Sequence, residues 1–275
     1  MKSVGVPGAL DFEAAQSYEA MSRRAEEFIV EEVKRRPGLI LCASAGGTPT
    51  RTYELLAARA RRQPRLFRKM RVLQIDEWGG LEPGHPATCY QDLRRKLLEP
   101  LQIGKDRYIG FKTDAAEPGA ECARIARWLR KNGPIDICIL GLGVNGHIAM
   151  NEPAKTLIPH AHIAKLTRSS LKHPMLKRSR QKPSYGLTVG MGDILSSRLV
   201  VLLVNGRHKR EAMKHLLKSA VTTQFPASFL WLHPRAIVLC DREAAPGLSK
   251  TLKQTRWGEA PAEPRSLLVK RSYGR

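Results

Sequence analysis

Residues 135–153 read Ile135-Asp136-Ile137-Cys138-Ile139-Leu140-Gly141-Leu142-Gly143-Val144-Asn145-Gly146-His147-Ile148-Ala149-Met150-Asn151-Glu152-Pro153. The short, mostly apolar run from Ile135 to Leu140 has the length and the β-branched content of a buried strand. The glycines that follow let the backbone turn tightly. His147 and Glu152 stand just beyond the turn. A histidine and a carboxylate held at the mouth of a strand can carry out proton transfer.

Gly141, Gly143 and Gly146 also spell GxGxxG. That fingerprint binds a dinucleotide only where a helix opens at its glycines and an acidic residue follows roughly 20 positions on. Here Pro153 comes soon after, residues 161–165 contain no acid, and the motif lies mid-chain. A nicotinamide cofactor is therefore not expected. Two readings of the stretch remain open on its residues alone. One is a proton-transfer site; the other is a plain strand-to-loop turn beside a hydrogen-bonded core histidine.

Working outward, strand and helix patterns alternate. Asp11 to Arg36 has helical periodicity, with Phe12, Ala15, Tyr18, Met21, Ala25 and Phe28 near one face, and Pro37-Gly38 ends it. Leu39 to Ala43 reads as a buried strand. Thr48-Pro49 predicts a helix start with threonine as N-cap and proline in the first turn. Arg71 to Ile75, Val200 to Val204 and Ala236 to Cys240 read as further strands. Helical segments are expected at 88–98, 116–131 and about 208–217. This alternation predicts an α/β fold, a three-layer αβα arrangement with a mostly parallel, Rossmann-like sheet and helices on both faces. We expect one domain over residues 1–260 and a basic tail over 261–275.

Ligands of such sheets bind beyond the carboxyl ends of the strands. Polar or glycine-rich residues follow four predicted strand ends: Ser44-Ala45-Gly46-Gly47-Thr48, Asp76-Glu77, the 141–153 stretch, and Asn205-Gly206-Arg207-His208-Lys209. They should converge on one cleft. The Ser44–Thr48 loop joins a strand to a helix N-terminus, where free N–H groups and the dipole suit a phosphate. It equally fits a plain βα turn. It is not a Walker loop, because Gly47 is not followed by Lys-Ser or Lys-Thr. Asp76, if partly buried, has the makings of a carbon-acid base, and Lys209 can offer a phosphate its point charge. Alone, each also fits an ordinary surface residue.

Composition narrows the classes. The 275 residues carry a formal charge of +22, but aromatic residues make up only 6% and the basic clusters are dispersed. No helix-turn-helix, zinc-finger or RNA-recognition signature is present, so a nucleic-acid partner is disfavoured and steering of an anionic substrate is the better use of the charge. The histidines form neither HxxxH nor HExxH, so no metal is expected, and no GxSxG elbow is present. The five cysteines lack CxxC spacing and read as reduced. No apolar run is long enough to span a bilayer and no signal-peptide pattern follows Met1-Lys2, so a cytoplasmic location is expected. The oligomeric state is left open.

Taken in order, these motifs resemble the glucosamine-6-phosphate deaminase family, which belongs with the 6-phosphogluconolactonases in one sugar-phosphate superfamily. The resemblance runs from about residue 20 to 250. It rests on Ala45-Gly46-Gly47-Thr48-Pro49, Ile75-Asp76-Glu77-Trp78, Gly141 to Pro153, Gly186-Leu187-Thr188-Val189-Gly190, Gly206-Arg207-His208-Lys209 and Pro226-Ala227-Ser228. The Asn151-Glu152-Pro153 ending resembles the deaminase branch. The resemblance implies an amino-hexose 6-phosphate substrate and no cofactor. It implies His147, oriented by Glu152 and Asn145, as the ring-opening proton shuttle, and Asp76 as the base at C2. The Ser44–Thr48 loop and Lys209 would hold the phosphate. Asn145 stands where those deaminases carry Asp. Lys172-His173 aligns with their phosphate-binding Arg after a Thr-Arg pair, which is kept as Thr167-Arg168. Asn-Gly-His and the Arg168…His173-Pro174-Met175-Leu176 segment look closer to the galactosamine-6-phosphate isomerase branch. The implied reaction is galactosamine 6-phosphate to tagatose 6-phosphate plus ammonia, with His173 added to the phosphate ligands; the alternatives are a glucosamine-6-phosphate deaminase giving fructose 6-phosphate, then a 6-phosphogluconolactonase, then a non-catalytic sugar-phosphate sensor.

Overall fold

A computed structural model describes residues 10–168, 170–177 and 179–245; the basic tail expected at 261–275 lies outside them. In chain order the elements are β1 (Asp11–Ala15), α1 (Tyr18–Arg35), β2 (Ile40–Ala43), α2 (Thr50–Arg62), β3 (Arg71–Gln74), β4 (Asp76–Gly79), α3 (Cys89–Leu93), β5 (Tyr108–Ile109), α4 (Pro118–Asn132), β6 (Ile137–Gly141), β7 (His162–Ala164), β8 (Tyr185–Thr188), α5 (Met191–Leu195), β9 (Leu199–Val204), α6 (Arg210–Leu216) and β10 (Ala236–Asp241). Seven strands form one sheet in the order β1-β10-β9-β6-β2-β3-β5. Every ladder in it is parallel.

The apolar runs of the central strands follow from burial on both sides. In β9, Val200, Leu202 and Val204 enter the core shared with α4, α5 and α6, while Leu199, Val201 and Leu203 enter the core shared with α1 and α2. Successive side chains of a strand point to opposite faces, so a strand covered by helices on both sides must be apolar throughout. The three-layer αβα architecture is thus the one the alternation predicts. Cys42, Cys138 and Cys240 all lie in the first of these cores as free thiols.

Three local expectations are corrected. Asp11–Ala15 is not the first turn of a long helix. It pairs in parallel with β10 as the edge strand β1. The open edge of β10 offers backbone partners that a solvent-facing helical turn cannot, and tertiary pairing overrides the periodicity. Ser17 then caps α1 by accepting the Ala20 N–H at 3.1 Å. Thr48 does not cap α2, which starts at Thr50 with no side-chain cap. Its hydroxyl is drawn instead to Asn205 at the end of β9, two strands away in the sheet. The expected helix at 88–98 is α3 followed by a wide π turn, Arg94–Leu98.

At Ile75 the chain leaves the main sheet. β4 pairs antiparallel with β8, and β8 with β7, in a small second sheet. Part of the basic charge is structural: Arg59 bonds the buried Glu26 at 2.8 Å, and Arg36 reaches Asp136 at 2.6 Å. No helix among the described residues is long and apolar enough to cross a membrane.

Candidate active site

The turn after β6 is closed by its own backbone. Gly143 N–H donates to the His147 carbonyl at 2.9 Å, and Gly146 N–H to the Gly143 carbonyl at 3.0 Å. Gly146 has φ +86°, and a Cβ there would lie 2.2 Å from the Phe225 ring. Its lack of a side chain is therefore required twice over. The turn brings Asn145, His147 and Glu152 together. The Asn145 amide donates to Glu152 Oε2 at 2.8 Å, so its oxygen faces His147 Nδ1 at 2.7 Å. Nδ1 must then carry the hydrogen, which leaves the Nε2 lone pair as the basic end of the ring. Glu152 also accepts from Thr167 Oγ1 at 3.2 Å and from Ser170 Oγ. Burial pushes the Glu152 carboxyl up. The His147 ring and the Ser170 and Asn145 donors outweigh that and hold it near about 2. It stays ionised across the working range.

A Cβ on Gly143 would lie 2.4 Å from His147 Nδ1. Gly143→Ala should therefore push the imidazole off Asn145. A misplacement of this size can cost ~10²-fold in turnover. Steady-state kinetics on the folded variant, with circular dichroism as the control for structure, would check this.

Asp76 opens β4, opposite Thr188. Thr188 Oγ1 in turn accepts the Met150 N–H at 3.2 Å, which ties this strand end to the His147 loop. Asp76 remains partly open, whereas its neighbour Glu77 is buried. Glu77 takes the N–H groups of Trp78, Cys89 and Tyr90 and the Gln74 amide, all within 2.9 Å. It therefore caps α3 and is not available for chemistry. Burial and then the charge of Glu77 raise the Asp76 carboxyl to about 7. The two adjacent carboxylates have thus been assigned different work by their surroundings.

The Ser44–Thr48 loop follows β2. Ser44 Oγ is buried with no hydrogen-bond partner, and Tyr53, fully buried beneath the loop, bonds the Ser44 carbonyl at 2.9 Å. The Gly46 N–H is already bound to Asp92 at 2.9 Å, and the Thr48 hydroxyl to Asn205 Oδ1 at 2.8 Å. The N–H groups of Gly47 and Thr48 meet no acceptor among the described residues. Ala45 lies on the same loop, partly buried.

His173 faces this loop. Its Nδ1 accepts the Met175 N–H at 3.3 Å, so Nε2 carries the hydrogen. That atom would be 3.7 Å from a Cβ on Gly46. Burial, then the nearby charges of His147 and Lys209, hold His173 down near about 4. It is a neutral donor at physiological pH. Lys209 ends the 3-10 turn Arg207–Lys209 beyond β9, and burial lowers its ammonium.

The four strand ends belong to β3, β2, β6 and β9, which are consecutive in the sheet and parallel, so they open on one edge. Thr48 to Asn205 is a direct bond between two of these loops. All the residues expected from sequence lie at this edge or, for His173, in the segment that folds over it. Sequence reasoning did not single out Ser170, Asp92 or Lys96. Nothing local marks them, since each reaches the site through a contact more than ten residues away.

Comparisons with known proteins show what the chain as a whole is similar to. Residues 13–239 match the family described as glucosamine-6-phosphate isomerases/6-phosphogluconolactonase. AgaI of Escherichia coli (strain K12) is 36% identical over 224 residues, 82% of this chain and 89% of that protein. A glucosamine-6-phosphate deaminase of Thermoanaerobacter pseudethanolicus is 32% identical over 231 residues, 83% of this chain and 91% of that protein. The solved structure of a monomeric glucosamine-6-phosphate deaminase superposes with a TM-score of 0.80 at 30% identity, covering 86% of this chain and 98% of that one. The chain belongs to the glucosamine-6-phosphate isomerase/6-phosphogluconolactonase family.

Proposed function

We propose that this chain is an amino-sugar-phosphate isomerase/deaminase, that the site lies in a single domain over residues 1–260, and that its preferred substrate is galactosamine 6-phosphate. The observation that carries the reading is the pairing, at one sheet edge, of a histidine held in one tautomer by Asn145 with a half-buried carboxylate. His147 presents a free Nε2, and Asp76 sits poised near about 7.

The chemistry follows from these roles. His147 Nε2 takes the anomeric hydroxyl proton and delivers it to the ring oxygen, opening the pyranose to the aldehyde. Asn145 and ionised Glu152 keep the ring in the tautomer this requires. Asp76, as carboxylate, removes the C2 proton to give an enolamine, and returns it at C1 to give the ketose imine. Water adds at C2, ammonia leaves and a ketohexose 6-phosphate remains. Each positioned acid or base contributes ~10²–10⁴-fold. Ser44 Oγ, the Gly47 and Thr48 N–H groups, His173 Nε2–H and Lys209 are the phosphate donors. The galacto preference rests on Asn145 and His173, which replace the Asp and Arg of the gluco enzymes that the sequence resembles.

Ammonia release from galactosamine 6-phosphate and from glucosamine 6-phosphate tests both levels. Faster release from the galacto ester supports the full reading. Preference for the gluco ester keeps the reaction and rejects the substrate. No ammonia from either, with proton release from 6-phosphogluconolactone, makes the chain a lactonase.

A further inference from the structure

Gly46 is held at both of its polar atoms by a single neighbouring segment. Asp92, on α3, is 5% exposed, and its Oδ2 accepts the Gly46 N–H at 2.9 Å. Its Oδ1 takes the Lys96 ammonium at 2.6 Å. Lys96 Nζ also donates to the Gly46 carbonyl at 3.2 Å, which the Thr50 hydroxyl meets from the other flank at 2.7 Å. Lys96 lies in the middle of the π turn Arg94–Leu98. Such turns are frequent at functional sites.

The consequence for the loop is geometric. In a trans peptide the N–H of one residue points opposite to the carbonyl of the residue before it. With the Gly46 carbonyl turned towards Lys96 and Thr50, the Gly47 N–H is turned away from them. Gly47 is exposed, and a Cβ there would meet nothing within 4 Å. Gly46 itself has φ +104°, a conformation that glycine leaves as readily as it enters. Within the chain segment 44–50 only the Thr50 hydroxyl resists a flip of this peptide, which would present a carbonyl oxygen where an anion needs a donor.

We propose that Asp92 and Lys96 are positioning residues that lock the Gly46–Gly47 peptide so that its N–H faces the substrate phosphate. This rests on the reading of the Ser44–Thr48 loop as the phosphate site. The pair has the i,i+4 spacing of an ordinary surface ion pair, which would contribute little. Its carboxylate is buried, and both partners are spent on one glycine. Arg95 approaches the same carboxylate only at 3.8 Å and from solvent. Its charge does not replace the bond to Gly46.

The test uses the full chain with Lys96→Gln, Lys96→Arg and the double variant Asp92→Asn/Lys96→Gln, the last to avoid leaving a buried carboxylate unpaired. Four quantities are measured: thermal stability, kcat and KM for the amino-hexose 6-phosphate, and the inhibition constant of inorganic phosphate. Lys96→Gln is expected to raise KM and the phosphate inhibition constant together, by about tenfold, with kcat within about threefold. Lys96→Arg should restore both. A variant that only loses thermal stability, with KM and phosphate inhibition unchanged, overturns the proposal. So does a parallel loss in Lys96→Arg. Failure of the deaminase reading is distinguishable, because phosphate protection of the wild-type fold against heat, and its loss in Lys96→Gln, can be read with no turnover at all.

Discussion

Asp76→Asn is expected to abolish turnover, by ~10³-fold or more, while making the protein more stable above neutral pH. The amide keeps the shape of the side chain and cannot take a proton from C2, so the isomerisation step loses its base. The stability gain follows from linkage. The Asp76 carboxyl titrates near about 7 in the folded chain, raised from 3.8 by burial and by Glu77. A carboxyl with a raised folded pKa costs nothing while protonated in both states, below about pH 4. The cost grows as pH rises through the interval from about 4 to 7 and is complete above it. Because Asp76 keeps some access to water, we expect ~1–3 kcal/mol at pH 8, a shift of several degrees in the melting temperature. At pH 4 the two proteins should melt together. The same titration places the rising limb of the wild-type rate profile near pH 7. A profile flat from pH 5 to 8, or an Asp76→Asn enzyme with full turnover, would remove Asp76 from the mechanism.

How much of this was legible in the sequence depends on whether a residue's meaning is local. The runs 39–43, 135–140, 200–204 and 236–240 read as strands because two-sided burial leaves a continuous apolar signature. Asp76, His147 and Lys209 could be placed at one edge because parallel topology puts successive carboxyl ends on one side. The 11–15 segment misled because its side chains suit a helix face as well as an edge strand, and only the unpaired edge of β10 decides between them. Asp76 and Glu77 are adjacent and chemically alike. What separates them is that Glu77 meets the N-terminus of α3, a distance of twelve residues along the chain. Asp92 and Lys96 are harder still, since four residues apart on a helix they look like any solvated ion pair.

Glu152→Gln should lower turnover by ~10²–10³-fold and remove an acid-sensitive part of the fold's stability. Glu152 accepts hydrogen bonds from Asn145, Thr167 and Ser170, and His147 Nδ1 lies 3.5 Å away. Glutamine offers one acceptor where the carboxylate offers two. Either Asn145 or the Thr167–Ser170 pair must lose its partner, and Asn145 is then free to turn its NH₂ towards His147. The ring would follow with its hydrogen on Nε2, the tautomer unable to accept the anomeric proton. The pH signature is opposite in sign to that of Asp76. Glu152 is held near about 2 in the folded chain, against an ordinary value of 4.5. Its ionised form therefore stabilises the fold above about pH 4.5, and this contribution is lost as pH falls through the interval down to about 2. The size is on the order of 2–3 kcal/mol. Wild type should lose stability over that interval faster than Glu152→Gln, so that the two denaturation midpoints converge in acid. Asn145→Ala separates the two effects, since it breaks the link to His147 and leaves the Thr167 and Ser170 bonds in place. It should approach Glu152→Gln in lost turnover while keeping the share of the acid sensitivity that the Ser170 bond supplies, so that its acid profile falls between those of wild type and Glu152→Gln. Equal acid profiles for wild type and Glu152→Gln would mean that the carboxylate is not the centre of this network.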